Sequence, residues 1–126
     1  CSMIDGTERT RPLSLIIYLP SWETRMSFVE MRTYELKTGT ANTYAALYLE
    51  EGFAIQKSHL GEPVGYYLSE VGDLNQVIHM WRYENFEERT EKRTALFSDP
   101  AWLEYVAKVG PMVLNQRNAI LNDILN

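Results

Sequence analysis

The order in which strand-like and helix-like segments follow one another constrains the fold of this chain more than any other feature. The first segment, Phe28 to Leu36, alternates between two sets of side chains, and this alternation predicts a β-strand. One set contains Val29, Met31 and Thr33. The other set is an unusual mixture of aromatic, aliphatic and charged residues, namely Phe28, Glu30, Arg32, Tyr34 and Leu36.

A helical segment follows this strand. After Gly39, apolar residues recur with a period of about 3.6 from Tyr44 to about Ser58, which predicts the first helix. Tyr44 and Tyr48 lie one helical turn apart and are expected to pack inward. Residues 59 to 63 contain a glycine and a proline, which favour a helix stop and a turn.

Two strands, two helices and a final strand are predicted in the second half of the chain. Val64 to Glu70 and Gln76 to Tyr83 favour strands that form a hairpin. Phe86 to Phe97 predicts a charged helix, and a Ser-Asp-Pro sequence caps a shorter helix over Ala101 to Val109. Met112 to about Leu121 is predicted as a fourth strand, although its middle is polar.

The order β-α-β-β-α(α)-β is that of the ferredoxin-like, or split βαβ, arrangement. In this α+β fold, helices cover one face of an antiparallel sheet. We expect the uncovered face to carry the mixed polar and aromatic residues, and exposed patches of that kind usually mark an interface. The residues expected there are Glu30, Arg32, Tyr34, His79, Trp81 and Tyr83. Packing two sheets face to face would bury them and would make a homodimer, a dimeric α/β barrel.

Length and composition limit the remaining possibilities. The 126 residues suffice for one domain with a modest core, and a net charge of −5 opposes binding to nucleic acid. The longest apolar run, Leu13 to Leu19, is too short to span a membrane. The lone cysteine, Cys1, has no partner within the chain, which suits a cytoplasmic protein.

Residues 1–25 differ in character from the rest, and Met26 would be a suitable natural start. We therefore divide the chain into an N-terminal extension, residues 1–25, and a ferredoxin-like domain, residues 26–126. The extension is either non-native sequence or an arm whose segment from Leu15 to Tyr18 adds a strand to a sheet edge.

His79 is the first candidate for a chemical role. It lies in the middle of a predicted strand on the same side as Trp81 and Tyr83, and a histidine that titrates near neutral pH would suit general acid or base chemistry in an aromatic-walled cavity. The alternative is a structural histidine bonded to the backbone or to a carboxylate. A single histidine without a second ligand or a nucleophile favours that alternative.

Glu30 and Arg32 form the second candidate site. They share one side of a strand with Tyr34, so they would either hold a polar substrate group or pair with each other, and the self-satisfied pair is favoured. Arg32 would suit a carboxylate, because its guanidinium group binds such groups through two hydrogen bonds. Glu70 is expected to pair with either Arg32 or His79.

The predicted helices carry further candidates. Arg89 and Arg93 lie on one helical face near acidic residues, which favours a solvated ion-pair surface over an anion site at a pocket mouth. Trp102 is expected to fill the core rather than to stack on a ligand. No metal site or cofactor is expected, because the two histidines, His59 and His79, lie in different elements and no phosphate-binding or nucleophile motif is present.

Two stretches resemble the NIPSNAP family. They are Val29 to Lys37, VEMRTYELK, and Gly72 to Tyr83, GDLNQVIHMWRY. Further matches are Gly65, the spacing of Glu88, Arg89 and Arg93, and the stretch from Asp99 to Trp102. The resemblance covers residues from about 28 to 122 and leaves the first 25 residues outside.

The resemblance implies a dimeric α/β-barrel fold, which is shared with cofactor-independent monooxygenases, muconolactone isomerases and haem-degrading proteins. Eukaryotic relatives are linked to mitochondria and to vesicle or mitophagy roles, and the family carries no agreed catalytic residues to transfer. One hypothesis is therefore a site for a small apolar or aromatic molecule, with cofactor-independent monooxygenase or isomerase chemistry, His79 as acid or base and Arg32 orienting a polar group. The alternative is a non-enzymatic scaffold that engages another protein. Haem is a third hypothesis, with His79 as axial ligand.

Overall fold

A computed structural model describes residues 27–125 of the chain. The predicted arm from Leu15 to Tyr18 lies outside the described residues. The elements, in order, are β1 (Phe28–Leu36), α1 (Ala41–Leu47), a π-helical turn (Tyr48–Gly52), α2 (Phe53–Leu60), β2 (Gly65–Leu68), β3 (Gln76–Tyr83), α3 (Phe86–Phe97), α4 (Pro100–Val109), a 3-10 turn (Gly110–Met112) and β4 (Val113–Leu121).

The four strands form one antiparallel sheet in the order β2-β3-β1-β4. The two central strands pair so that Arg32 lies opposite His79 and Glu30 lies opposite Trp81. The sheet and the order of its elements confirm the predicted α+β, ferredoxin-like fold.

The bounds of several elements differ from the predictions; the last strand, for example, begins at Val113 rather than at Met112. The first helical region begins earlier, at Ala41, and ends at Leu60, and its middle widens into a π-helical turn that a period of 3.6 residues does not predict. Strand β2 is shorter than expected, although Ser69 still bonds to Gln76 beyond its end. Helix α4 begins at Pro100, since a proline fits the first turn of a helix, where its missing N–H group leaves no hydrogen bond unmade. The side chain of Asp99 caps this helix.

The helices cover the face of the sheet that was expected to be open. His79, Trp81 and Glu30 are each only 1% exposed, and they lie beneath the helices rather than on an uncovered face. The prediction about the face was therefore wrong. Alternation shows which residues share a side of a strand, but it does not show which side the helices cover.

The core lies between this inner face and the helices. Its largest contributors include Leu36, Tyr44, Tyr48, Leu60, Trp81 and Leu96. The inward packing of both tyrosines is thus confirmed. The helix pair α1 and α2 ends at Gly61, whose φ of 85° is a left-handed conformation that glycine adopts without strain.

The opposite face of the sheet, called here the outer face, mixes apolar residues with polar ones, among them Thr33, Glu35, Gln76 and Arg82. The pairing register places on it Val29, Met31, Tyr67, Ile78, Met80 and Leu121. Among these, Tyr67 is 54% exposed and Leu121 is 38% exposed. None of the helices between residues 27 and 125 has the length and apolar character needed to cross a bilayer.

Candidate functional site

A cavity of about 610 Å³ lies between the inner face of the sheet and helices α3 and α4. Six aromatic side chains line it: Tyr34, Tyr44, Tyr66, Phe97, Trp102 and Tyr105. Its polar lining comprises Arg32, Gln56, His79, Arg93, Asn115 and Gln116. The volume falls in the range of small-molecule sites, in which an apolar wall surrounds a few polar groups.

A buried carboxylate, Glu30, organises the charges at one side of this cavity. Arg89 from α3 donates two hydrogen bonds to its two oxygens, at 2.8 and 2.9 Å. Arg32 donates to Oε2 at 3.1 Å, and so does the Asn118 amide. Burial by itself would raise the pKa of Glu30, but the hydrogen bonds from Arg89 and the charge of Arg32 outweigh it and hold this pKa below its ordinary value.

Arg32 connects this cluster to the cavity. Its Nε donates to the hydroxyl of Tyr34 at 3.1 Å, while its Nη1 donates to Glu30. The predicted self-satisfied pair of Glu30 and Arg32 therefore exists, and Arg89 completes it. Arg32 also lines the cavity. Its two hydrogen bonds therefore fix the position of this guanidinium group before any ligand arrives.

The hydrogen bonds of His79 determine which of its nitrogens carries the proton. The indole N–H of Trp81 donates to His79 Nδ1 at 2.6 Å. An indole N–H can only donate, so Nδ1 is the unprotonated nitrogen and Nε2 carries the hydrogen. Tyr66 stacks on the imidazole with the ring centroids 4.6 Å apart. His79 is thus held as a fixed hydrogen-bond donor.

The environment of His79 keeps its imidazole neutral. Burial, together with the nearby positive charge of Arg32, lowers the pKa of His79 to about 3. The expected titration near neutral pH is therefore not found. The predicted alternative, a bond to the backbone or to a carboxylate, is not found either, because the partner is Trp81.

Two hydrogen-bonding groups around the cavity have no partner within the described part of the chain. They are His79 Nε2 and Trp102 Nε1, both of which are buried. Unpaired buried polar groups are costly, and native structures rarely leave them so without a reason. Each of these atoms can donate a hydrogen bond, so the site suits a ligand with oxygen acceptors.

Arg93 is the second cation of the cavity. It comes from α3, one helical turn after Arg89, and it stacks over Phe97 with 5.3 Å between the guanidinium carbon and the ring centroid. Between residues 27 and 125, no carboxylate lies within 4.0 Å of it. The prediction of a solvated ion-pair surface was wrong for this helix face, because Arg89 binds the buried Glu30 and Arg93 lines the cavity.

The structure brings together only part of the predicted site. Arg32, Tyr34 and His79 line the cavity, and Glu30 lies directly behind them. Trp81 and Tyr83 are buried on the same face but act as packing, Trp81 also orienting His79.

Glu70 does not belong to the site. It is exposed beyond the end of β2, and it pairs with neither Arg32 nor His79, so that prediction was wrong. Its position in the turn carries it away from the inner face.

Arg93, Trp102 and Tyr105 are lining residues that were not predicted as a site. The spacing of Trp102 and Tyr105 on one amphipathic helix was the available signal, and it is equally typical of core packing. Among residues 27–125, no three His, Cys, Asp or Glu side chains cluster closely enough to hold a metal ion.

An antiparallel sheet covered on one face by helices, with a cavity between the two layers, defines a ferredoxin-like α+β protein. The chain belongs to the NIPSNAP family, since the NIPSNAP family model matches residues 29–124.

Comparison with known proteins agrees with this assignment. The chain is 42% identical over 79 residues to a NipSnap homologue of Dictyostelium discoideum, a match that covers 63% of this chain and 34% of the relative. It is 40% identical over 78 residues to human NipSnap homologue 3A, covering 61% of this chain and 31% of the relative. The chain thus spans about a third of the length of these curated relatives.

Solved structures share the fold. A NIPSNAP family protein from Agrobacterium tumefaciens superposes with a TM-score of 0.77 at 39% identity, covering 79% of this chain and 90% of that one. A NIPSNAP-like domain protein from Burkholderia xenovorans gives 0.78 at 38% identity, covering 80% and 88%. A Nitrosomonas europaea protein assigned to the antibiotic biosynthesis monooxygenases gives 0.56 at 11% identity, covering 80% and 93%, and shares the fold alone.

Proposed function

We propose that this chain binds a small aromatic molecule in the cavity between its sheet and its helices. One observation carries the proposal: a cavity of about 610 Å³ is walled by six aromatic side chains and bordered by hydrogen-bond donors that have no partner in the described chain. Aromatic walls supply binding free energy through apolar burial and ring contacts, while the donors orient the polar part of the ligand.

The same donors favour chemistry in which an oxygen of the bound molecule becomes negative. Fixed N–H and O–H groups stabilise such an oxygen because they need no reorganisation when the charge forms. Both cofactor-independent oxygenation and isomerisation of an aromatic compound would use this stabilisation. His79 would then act as a hydrogen-bond donor through Nε2, and Arg32 would orient the polar group.

These residues are poorly suited to remove a proton from a bound molecule. The pKa of His79 is lowered to about 3, and its Nδ1 lone pair already accepts from Trp81. Burial raises the pKa values of Tyr44, Tyr66 and Tyr105, so their hydroxyls stay protonated at neutral pH. A reaction in this cavity would therefore begin with a molecule that is already ionised or readily ionised.

The proposed working form is a homodimer joined through the outer face. Met31, Ile78 and Met80 lie there on the two central strands, and Tyr67 extends the apolar surface onto β2. Val29 on this face is buried, Met31, Ile78 and Met80 are half-buried, and Tyr67 is exposed. Since a sheet face with partly exposed apolar side chains can pack against a partner, two copies would cover each other's outer faces and leave both cavities open on the helix sides.

Calorimetric titration with 2-naphthol tests the binding proposal. The Val106→Trp variant places a bulky indole ring in the cavity lining, and the Leu103→Trp variant places the same ring at an exposed position of the same helix. We expect Val106→Trp to weaken binding at least tenfold and Leu103→Trp to leave it unchanged. Gln116→Trp, on β4, fills the cavity from the other side and should act like Val106→Trp.

The opposite result would favour the scaffold alternative. If 2-naphthol fails to bind the unmodified chain, or binds equally well to both cavity-filling variants, the cavity is not a site for aromatic molecules. Circular dichroism of each variant shows whether the fold is kept.

A further inference from the structure

We propose that the occupant of the cavity is an aromatic carboxylate, with its ring against the aromatic wall and its carboxylate bound between Arg93 and Arg32. This inference rests on the proposed function and adds the charge of the ligand. It comes from an imbalance among the charged groups of the site.

The described lining of the cavity contains two arginines and no acidic residue. Behind it, a single carboxylate, Glu30, is shared by Arg32 and Arg89. Two guanidinium groups therefore share one carboxylate, and a third, that of Arg93, has no carboxylate within 4.0 Å in residues 27–125. A partly buried charge without a counterion is unfavourable, so this part of the cavity favours an anion.

The state of Arg93 agrees with this imbalance. Burial, followed by repulsion from Arg32, lowers the pKa of Arg93 below its ordinary value. An anion placed between Arg32 and Arg93 would offset the repulsion between the two guanidinium groups. It would also stabilise the charge of Arg93, which burial has deprived of some of its contact with water. Arg93 already stacks on Phe97, which fixes the plane of its guanidinium group.

The remaining lining indicates a carboxylate attached to a ring. A guanidinium group matches the two oxygens of a carboxylate through parallel hydrogen bonds. His79 Nε2, Trp102 Nε1 and Tyr105 Oη can also donate hydrogen bonds to an oxygen of the ligand. Of these three groups, only the Tyr105 hydroxyl could accept a hydrogen bond from an ammonium group. Val106 and Val109 extend the apolar wall, which suits the ring rather than a second charge.

A matched pair of probes separates the charge from the ring. 2-Naphthoate and 2-naphthamide have nearly the same shape, but only the former is an anion at pH 7. We expect calorimetry on the full chain to give at least tenfold tighter binding of 2-naphthoate. The Arg93→Gln variant should lose this preference and bind 2-naphthamide as before.

Lys92→Gln is the control for Arg93→Gln. Lys92 is the preceding residue on α3 and pairs with Glu88, so this variant changes the net charge by the same unit outside the cavity. It should keep the full preference for 2-naphthoate. If it loses the preference, the effect belongs to the overall charge of the protein and the assignment to Arg93 fails.

Each outcome has a distinct meaning. Equal binding of the two probes, or tighter binding of 2-naphthamide, would overturn the carboxylate inference while leaving the proposed function intact. A preference that survives in Arg93→Gln would overturn the role of Arg93. If neither probe binds the unmodified chain, the proposed function fails together with the inference.

Discussion

His79 shows how single residues set the chemistry of the cavity. Its position on a strand was predictable, whereas its protonation state depends on the Trp81 indole two residues away, on the stacked Tyr66 ring and on the charge of Arg32. These contacts convert a residue type associated with proton transfer into a neutral donor. At the residue scale, the cavity therefore presents a hydrogen-bond donor rather than a base.

Stability should fall on acidification because of His79. Its folded pKa of about 3 lies below the unfolded value of 6.5, so between these pH values the unfolded chain binds a proton that the folded chain does not. From pH 7 to pH 5 this difference costs about 2 kcal/mol of unfolding free energy. Urea denaturation at both pH values measures it.

The His79→Asn variant isolates this contribution. An asparagine oxygen can still accept from Trp81, but the side chain does not titrate. We expect the loss of stability between pH 7 and pH 5 to be smaller in the variant by about 2 kcal/mol. Equal losses in the two proteins would contradict a neutral, buried His79.

At the scale of elements, local patterns predicted the fold but only part of the candidate site. The bounds of β1, β3 and α3 agree with the predictions because alternation and caps are local; Asn85, for example, accepts from the Glu88 N–H at 2.8 Å at the start of α3. Arg89 and Glu30, by contrast, are 59 residues apart. Their contact depends on which face of the sheet α3 covers, and no local pattern contains that information.

The π-helical turn is an element with a direct effect on the cavity wall. Gly52 closes this turn against the ring of Tyr105, where a β-carbon would lie 2.7 Å from Tyr105 Cζ. Replacing Gly52 by Ala should displace the ring. The gain in helix propensity is about 1 kcal/mol, and overpacking costs about 1–3 kcal/mol, so we expect a net destabilisation.

Urea denaturation of Gly52→Ala and Gly110→Ala tests this effect. A β-carbon at Gly110 would meet no atom within 4 Å, so that variant should be as stable as the unmodified chain or slightly more stable. If Gly52→Ala is at least as stable as Gly110→Ala, the close contact with Tyr105 does not constrain the helix.

At the scale of the whole molecule, the two faces of the sheet differ in composition. The inner face carries the charged and aromatic groups of the cavity, and the outer face carries apolar residues among polar ones. The homodimer was first expected from residues that the helices in fact cover, so the proposal now depends on a different set, centred on Met31 and Met80. Under this proposal, assembly and ligand binding use opposite sides of one sheet.

Met80→Lys should separate the proposed dimer. Covering an unpaired ammonium group at the centre of the outer face is costly, so sedimentation velocity at micromolar concentration should show a dimer for the unmodified chain and a monomer for the variant. Leu103→Lys, at an exposed position of α4, should remain dimeric. A monomeric unmodified chain, or a dimeric Met80→Lys variant, would contradict packing through this face.

NMR titration with 2-naphthoate tests the proposal that the cavity beneath the helices is the binding site. We expect the indole N–H signal of Trp102 and the Nε2–H signal of His79 to shift on binding, while the methyl signals of Met31 and Met80 on the outer face stay unchanged. Shifts confined to the two methionine methyl groups, with both N–H signals unmoved, would contradict binding in the cavity.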